Sequence, residues 1–140
     1  MEENKKLREE LALAKGNERQ EVQQRYDNSI KELSSIEWYE SGLRNYKKAD
    51  YETAVRDISK AIELNPNLAE AYNNRGLAYN NLGKYNEAII DLDKAIELNP
   101  KLTAAYDNRG IAYNRLNDKE SIIDNIIGFF KEVSKGMIGK

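Results

Sequence analysis

Residues 51–68, YETAVRDISKAIELNPNL, recur 34 positions later as residues 85–102, YNEAIIDLDKAIELNPKL. The same offset relates residues 71–82, AYNNRGLAYNNL, to residues 105–116, AYDNRGIAYNRL. Matches this dense at one constant spacing indicate an array of equivalent structural units rather than a single irregular core. A unit of only 34 residues cannot bury its apolar surface by itself, so its stability depends on stacking against the neighbouring units.

The offset divides the whole chain. It predicts three units, residues 35–68, 69–102 and 103–136, preceded by an N-terminal segment, residues 1–34, and followed by a short tail, residues 137–140. Alanine, leucine, glutamate and lysine dominate the composition and valine is scarce, which favours helices over strands. The sequence therefore predicts an all-α fold.

Each unit is expected to contain two helices. In the second unit, Tyr72, Gly76 and Tyr79 follow helical spacing. Gly83 is the kind of residue that ends a helix, and a second helix is expected from about Asn86 to Leu98. Pro100 then ends that helix, because the residue before a proline avoids the α-helical region and proline has no amide hydrogen to donate.

These residues resemble the signature of the tetratricopeptide repeat (TPR) family. The second unit carries the signature residues Tyr72, Gly76, Tyr79, Ala88, Leu92, Ala95 and Pro100, and the first carries Trp38, Gly42, Ala54, Ile58, Ala61 and Pro66. The third supplies Tyr106, Gly110 and Tyr113 and then departs from the pattern. The resemblance implies a right-handed superhelical array of antiparallel helix pairs, and it covers residues 35–116.

The composition argues against several functional classes. The chain of 140 residues has a net charge of −2 and contains neither cysteine nor histidine. It therefore lacks the commonest general base, the commonest metal ligand and every cysteine nucleophile. The near balance of 22 basic and 24 acidic residues argues against a nucleic-acid partner.

No motif indicates an enzyme. Neighbouring carboxylates such as Asp91 and Asp93 diverge around a helix, so they form no shared acid–base site. The glycines form no phosphate-binding loop, and the residues around Asp118 lack the ligand spacing of a calcium loop. We expect no cofactor and no metal. No apolar stretch is long enough to span a membrane and the first ten residues do not resemble an export signal, so a cytoplasmic location is expected.

The N-terminal segment leaves two structures open. One is a degenerate fourth hairpin, in which Asn17 caps the second helix and Gln20 completes a capping box. The other is one long helix that could enter a coiled coil. Its apolar positions do not keep a single heptad register across Gly16, which favours the hairpin or a bent helix.

The final helix of the third unit has an unusually wide apolar surface. Its bulky members are Ile122, Ile123, Ile126, Ile127, Phe129, Phe130 and Val133. Ile122 is expected to face Gly110, and Phe129 takes the place of the second signature alanine, so the array is expected to end here. Three interpretations stay open: packing on the unit's own first helix with the tail around Met137 folded over it, a self-association or partner face (Ile123, Ile127, Phe130, Val133), and a membrane contact helped by Lys131, Lys135 and Lys140.

The resemblance also implies a binding surface. In such arrays the first helix of each unit lines a concave groove that commonly holds an extended peptide. By position, the groove-lining residues are Tyr39, Leu43, Tyr46, Asn73, Asn74, Leu77, Asn80, Asn81, Asp107, Asn108, Ile111, Asn114 and Arg115. Asparagine amides can donate and accept hydrogen bonds to a peptide backbone, and Leu43, Leu77 and Ile111 would form an apolar stripe. The alternative is that these asparagines are only solvent-exposed polar residues on a surface that binds no ligand.

Some TPR adaptors clamp the C-terminal carboxylate of chaperones with lysine, asparagine and arginine side chains. The five corresponding positions hold Tyr39, Leu43, Asn74, Ala104 and Asn108, and only Asn74 matches. Without the cations, clamp-type binding of chaperone tails is not expected. The sequence thus predicts a non-enzymatic module that binds a protein or peptide in the concave groove. The alternative is a structural module that self-associates through its apolar C-terminal helix.

Overall fold

A computed structural model describes residues 2–138, and helices account for almost all of them. The helices are α1 (Glu2–Leu13), α2 (Asn17–Lys47), α3 (Tyr51–Leu64), α4 (Ala69–Asn81), α5 (Tyr85–Leu98) and α6 (Thr103–Ile138). No strand occurs in this part of the chain. The all-α prediction is confirmed. The central helices pack as two antiparallel pairs, α2 with α3 and α4 with α5.

The prolines end the second helix of each pair as the sequence predicts. Asn65 and Asn99, which precede Pro66 and Pro100, have extended backbones with φ of −141° and −143°. Within each pair the chain reverses through one residue with positive φ: Ala49 at 60° and Gly83 at 73°.

Close contacts at two glycines hold the hairpins together. A Cβ on Gly76 would lie 2.8 Å from Leu92 Cγ and 3.3 Å from the Ala88 carbonyl oxygen, and a Cβ on Gly42 would collide with Ile58. Ala88 and Leu92 are fully buried. Each hairpin therefore depends on a glycine in its first helix and a small residue in its second, since these let the two backbones approach.

A buried carboxylate lies inside each closed hairpin, at equivalent positions. Asp91 accepts two hydrogen bonds from the Arg75 guanidinium, at 2.7 and 2.6 Å, and Arg75 also donates to Ser59. Asp57 instead accepts from Ser41 and Asn45, at 2.7 and 2.9 Å. Burial lowers the pKa of Arg75, but the hydrogen bond and charge of Asp91 raise it more, so its pKa lies above the ordinary value. Arg75 therefore stays charged.

The array is curved. α2 contacts α4 and α4 contacts α6, whereas among the described residues α3 and α5 do not contact each other. The first helices of successive units thus lie closer together than the second helices. The inner, concave side is therefore formed by residues 35–47 of α2, by α4 and by residues 103–116 of α6.

The N-terminal segment forms a hairpin whose second helix does not stop. α1 packs against the start of α2, with Arg25 paired to Glu10 at 2.8 Å, and the chain turns at Gly16 with φ of 62°. The predicted cap is wrong: Asn17 is the first helical residue, and Gly16 precedes the helix without any side-chain cap. α2 then continues into the first unit as one helix, because no proline stops it where Pro66 and Pro100 stop α3 and α5.

The third unit does not form a hairpin. α6 runs unbroken from Thr103 to Ile138, and a Cβ on Gly110 would have no neighbour within 4 Å. The prediction of two helices here is wrong, and so is the expected contact between Ile122 and Gly110. The final residues therefore do not pack on the first helix of the third unit, because both belong to the single helix α6. The segment around Met137 is not folded over them either, since Met137 is 77% exposed. Lys140 lies outside the described residues.

Bulky side chains explain why this hairpin stays open. Ile122 and Phe129 occupy the positions of Ala88 and Ala95, both fully buried in the second unit. Larger side chains there would hold the backbones apart, because the interior of such a pair has no spare volume. The result is an exposed apolar surface on the second half of α6.

Candidate functional site

The concave surface is built from three helices that occupy equivalent places in successive units. All thirteen predicted groove residues lie on these helices, in residues 39–46 of α2, 73–81 of α4 and 107–115 of α6. The structure thus brings the three groups to neighbouring helices.

Asparagine amides in the groove bind the adjacent helix. Asn74 Nδ2 donates to the Tyr39 hydroxyl, and Asn81 Nδ2 donates to the Tyr46 hydroxyl at 3.0 Å. Asn108 Nδ2 donates to Asn73 Oδ1, also at 3.0 Å. Each pair is separated by 35 residues, one more than the repeat. These side chains therefore connect neighbouring units, a role that the pattern of a single unit does not predict although tyrosine and asparagine recur at that spacing.

Part of the hydrogen-bonding capacity of these amides remains free. A carboxamide nitrogen carries two hydrogens, and Asn74 and Asn108 each use one of them. Asn81 uses both, since it also donates to the Leu77 carbonyl oxygen. Asn73 is buried, so it supports Asn108 rather than facing a ligand. The groove thus retains individual donors at Asn74 and Asn108.

Asn80 is the one groove side chain with a buried polar atom that lacks a partner inside the described structure. Its Nδ2 donates to the Asn108 carbonyl oxygen at 3.1 Å, whereas its Oδ1 is buried without a hydrogen bond. A buried acceptor without a donor is unfavourable. A donor supplied at this place would therefore be stabilised.

Tyr39 keeps its proton at neutral pH. Burial raises the pKa of its hydroxyl, the hydrogen bond from Asn74 lowers it, and the nearby charge of Glu70 raises it, with a net increase above 10.0. The hydroxyl oxygen accepts from Asn74 while its own hydrogen stays available. Tyr39 therefore contributes a neutral, polar group to the groove wall on α2.

The residues of the apolar stripe become more exposed towards α6. Leu43 and Leu77 are half-buried, and Ile111 is 48% exposed. Asp107, Asn114 and Arg115 beside Ile111 are exposed and make no hydrogen bond or ion pair within residues 2–138. The α6 side of the groove is thus its most accessible part.

The five positions of the chaperone clamp carry no cation. Tyr39 and Asn74 bind each other, Leu43 is half-buried in the stripe, and Ala104 and Asn108 contribute no charge. In the described part of the chain, His, Cys, Asp and Glu form no cluster of three that could hold a metal ion. No helix in residues 2–138 is both long and apolar enough to cross a bilayer.

The predicted second surface lies outside the groove. Ile123, Ile127, Phe130 and Val133 are 46%, 47%, 62% and 41% exposed on the second half of α6. They belong to a continuous apolar strip on a helix segment that has no neighbouring helix within residues 2–138.

Comparison with known proteins agrees with this geometry. The tetratricopeptide repeat profile matches residues 69–102, and a second TPR repeat profile matches residues 42–83. An uncharacterised protein of Methanocaldococcus jannaschii is 40% identical over 59 residues, which are 42% of this chain and 66% of that protein.

Two solved TPR domains are similar in structure. The TPR domain of Arabidopsis OM64 has a TM-score of 0.62 at 31% identity, over 64% of this chain and 74% of that one. The first TPR domain of Spaghetti (RPAP3), bound to the HSP90 peptide SRMEEVD, has a TM-score of 0.60 at 30% identity, over 63% and 70% of the two chains. With the repeat, the glycine-centred hairpins and these matches in agreement, the chain belongs to the tetratricopeptide repeat family.

Proposed function

We propose that the chain is a non-enzymatic interaction module that holds an extended segment of a partner protein in the concave groove. The observation that carries this proposal is the stripe formed by Leu43, Leu77 and Ile111, flanked by the free amide donors of Asn74 and Asn108. An extended peptide needs both features, since its backbone requires hydrogen-bonding partners and its side chains require apolar contacts. The peptide-bound RPAP3 domain supports the same use of the fold.

The spacing of the stripe favours a particular ligand. Packed helices lie about 8–10 Å apart. In a polyproline II segment, residues three apart are on the same side and separated by about 9 Å. A ligand with an apolar residue at every third position would therefore place successive side chains on Leu43, Leu77 and Ile111. Because the groove lacks a cluster of one charge, the intervening residues should be uncharged.

Fluorescence anisotropy with synthetic peptides tests this directly. A blocked peptide with leucine at every third residue, and proline, serine and glutamine between, should bind more tightly than an isomer with leucine at every second residue. Ile111→Asp should weaken binding at least about tenfold, or about 1.4 kcal/mol. The matched control is Ile90→Asp, which makes the same change at a 68% exposed isoleucine on α5 and should leave binding unaltered.

Equal binding of the two peptides would refute the proposed spacing. Equal losses in the two variants would refute the groove as the binding surface.

The missing cations give a separate expectation for chaperone tails. A free-acid peptide ending in EEVD and its C-terminal amide should bind equally weakly, because no cation is present at the clamp positions to hold the carboxylate. Micromolar binding of the acid that is lost on amidation would show that a different set of residues forms a clamp.

A further inference from the structure

The second half of α6 exposes a row of large apolar side chains. Ile122, Ile126, Phe129 and Phe130 are 59%, 51%, 65% and 62% exposed, and Ile123, Ile127, Val133 and Met137 complete the α6 apolar face. Side chains of this kind offer roughly 150–200 Å² each, so eight of them half exposed form a patch on the order of 700 Å². Patches above a few hundred Å² on soluble proteins usually mark an interface.

The face is cleanly separated from the charged side of the helix. At 100° per residue, the apolar residues fall on one side of α6 between Ile122 and Met137. Asp124, Lys131, Glu132 and Lys135 fall on the opposite side, where Lys135 pairs with Glu132 at 3.2 Å. A partner for this face therefore needs an apolar helical surface of similar length, about 24 Å for the sixteen residues from Ile122 to Met137.

No other helix of the described chain offers an apolar surface as long and as exposed. On α2, Ile30, Leu33, Ile36 and Trp38 are only 37–44% exposed, and on α5 a single isoleucine, Ile90, is exposed. The apolar faces of α3 and α5 are buried in the hairpins, and the first half of α6 is packed on α5 through Ala105 and Ala112, both fully buried. The first half of α6 cannot pack against this face, because α6 is one continuous helix and does not fold back on itself. Ile122 and Phe129 are also too large for the close helix contact of a TPR hairpin. The surface on this molecule that best matches the face in length and exposure is the α6 apolar face of a second copy.

The sequence of the face is self-complementary about Gly128. Read outward from that residue, Ile126–Ile127 mirrors Phe129–Phe130, the polar pair 124–125 mirrors the polar pair 131–132, and Ile123 mirrors Val133. A two-fold axis at the height of Gly128 would therefore bring apolar residues together between Ile123 and Val133 of an antiparallel helix pair. This is the arrangement that a symmetric dimer requires, in which residue i meets residue j and j meets i.

We propose that two copies of the chain dimerise through an antiparallel pairing of their α6 apolar faces. Burial from both copies would be at most about 1,400 Å², within the range of ordinary specific interfaces. In an antiparallel pair the two helix dipoles point in opposite directions, so that each positive helix end lies near a negative one, which is favourable. It places the two arrays at opposite ends of the pair, each beginning about 18 Å from the axis, so that they do not collide. Both concave grooves remain open in this dimer.

Sedimentation velocity of the full chain across a concentration series tests the dimer. The chain should convert from monomer to dimer, and the double variant Ile126→Lys with Phe130→Lys should remain monomeric at every concentration. Ile90→Lys, at an exposed isoleucine outside the face, should dimerise like the unmodified chain. Circular dichroism should show equal helicity in all three proteins, because none of the three substituted residues contributes to the core of the monomer.

Cysteine cross-linking tests the direction, and the chain suits it because it contains no cysteine. Under mild oxidation, a mixture of Ile123→Cys and size-tagged Val133→Cys chains should form the mixed disulfide dimer, whereas each variant alone should cross-link poorly. Efficient cross-linking of Ile123→Cys with itself would refute the antiparallel pairing. A strict monomer would refute the dimer, and a monomer that binds phosphatidylglycerol vesicles through this face would assign it to a membrane surface instead.

Discussion

The second and third units begin with nearly the same helix and end differently. Residues 71–82 and 105–116 share most of their side chains, including Gly76 and its equivalent Gly110. The second unit turns at Gly83 and buries Leu92 against Gly76, whereas the third continues as α6 and leaves Gly110 without a neighbour. The difference between these two units shows which interactions make a TPR hairpin close.

Local turn signals do not explain the difference. The turn position of the third unit holds Asn117, and asparagine adopts positive φ more readily than alanine does. The equivalent residue of the first unit, Ala49, nevertheless adopts a φ of 60°, so Asn117 could form the same turn. Asp118 corresponds to Asp50, whose side chain caps α3 by accepting from the Thr53 amide at 3.2 Å. What the third unit lacks is the pair of small residues at the helix contact. Packing between helices, rather than the turn, therefore decides whether the hairpin forms.

The largest expected effect comes from breaking the ion pair inside the closed unit. Arg75→Met removes both hydrogen bonds to Asp91, whose side chain is only 5% exposed. An unpaired buried carboxylate is costly, so the free energy of unfolding should fall by about 3 kcal/mol. Urea denaturation followed by circular dichroism measures this change.

The matched control is Arg109→Met, at the equivalent position of the third unit. Arg109 pairs with Asp93, which is 53% exposed, so this substitution should cost at most about 1 kcal/mol. Equal losses in the two variants would mean that the third unit also buries its arginine, which contradicts an open α6.

The next largest effects on the free energy of unfolding come from Gly76→Ala and Gly110→Ala, and they have opposite signs. Gly76→Ala should lower the free energy of unfolding by about 1–3 kcal/mol, because the added methyl group lies against Leu92 and the Ala88 carbonyl. Gly110→Ala meets nothing within 4 Å and should raise it by up to about 1 kcal/mol, since alanine favours a helix over glycine. The same denaturation experiment measures both. Destabilisation by Gly110→Ala would indicate a closed third hairpin.

The smallest effect concerns pH. Burial is the main cause that raises the pKa of both Tyr39 and Tyr79 above 10.0. The folded state therefore holds these protons more tightly than the unfolded state does. Their contribution to stability is complete below pH 10 and is lost as the pH rises through the folded values.

Thermal unfolding should show this as a Tm that falls above about pH 10. The part due to these two tyrosines should be only a few degrees, and the double variant Tyr39→Phe with Tyr79→Phe should show a shallower decline. An equally steep decline in the double variant would mean that other groups control the alkaline limit. Because the chain has no histidine, no step in Tm is expected between pH 6 and 8.

The repeat made the closed part of the fold predictable from sequence. The glycine, alanine and proline positions at constant spacing identified α3, α4 and α5, because in that region local preference and packing agree. The ends were less predictable for opposite reasons. α2 runs through residues 34–35 because a stop signal is absent there. α6 continues although Asn117 and Asp118 favour a turn, because Ile122 and Phe129 prevent close packing.

The candidate groove could be predicted only in outline. Positions 39 to 115 were assigned from the resemblance, and they do lie on three adjacent helices. The hydrogen bonds of Asn74, Asn81 and Asn108 to the neighbouring helix were not predicted. Such bonds join side chains of different units, so the helical pattern of a single unit does not reveal them. The tyrosines 35 positions before Asn74 and Asn81 were the available signal.

The most direct test of the difference between the units is a pair of distances measured by double electron–electron resonance. Spin labels at Glu70 and Glu97 span the closed hairpin, and labels at Ala104 and Lys131 occupy the equivalent exposed positions of the third unit. Dilution with unlabelled chain removes distances between copies. The first pair should lie below about 25 Å, as for neighbouring antiparallel helices. The second pair should lie near 40 Å along one continuous helix. Short distances in both pairs would show that the third unit closes like the second, and would contradict an exposed α6 face.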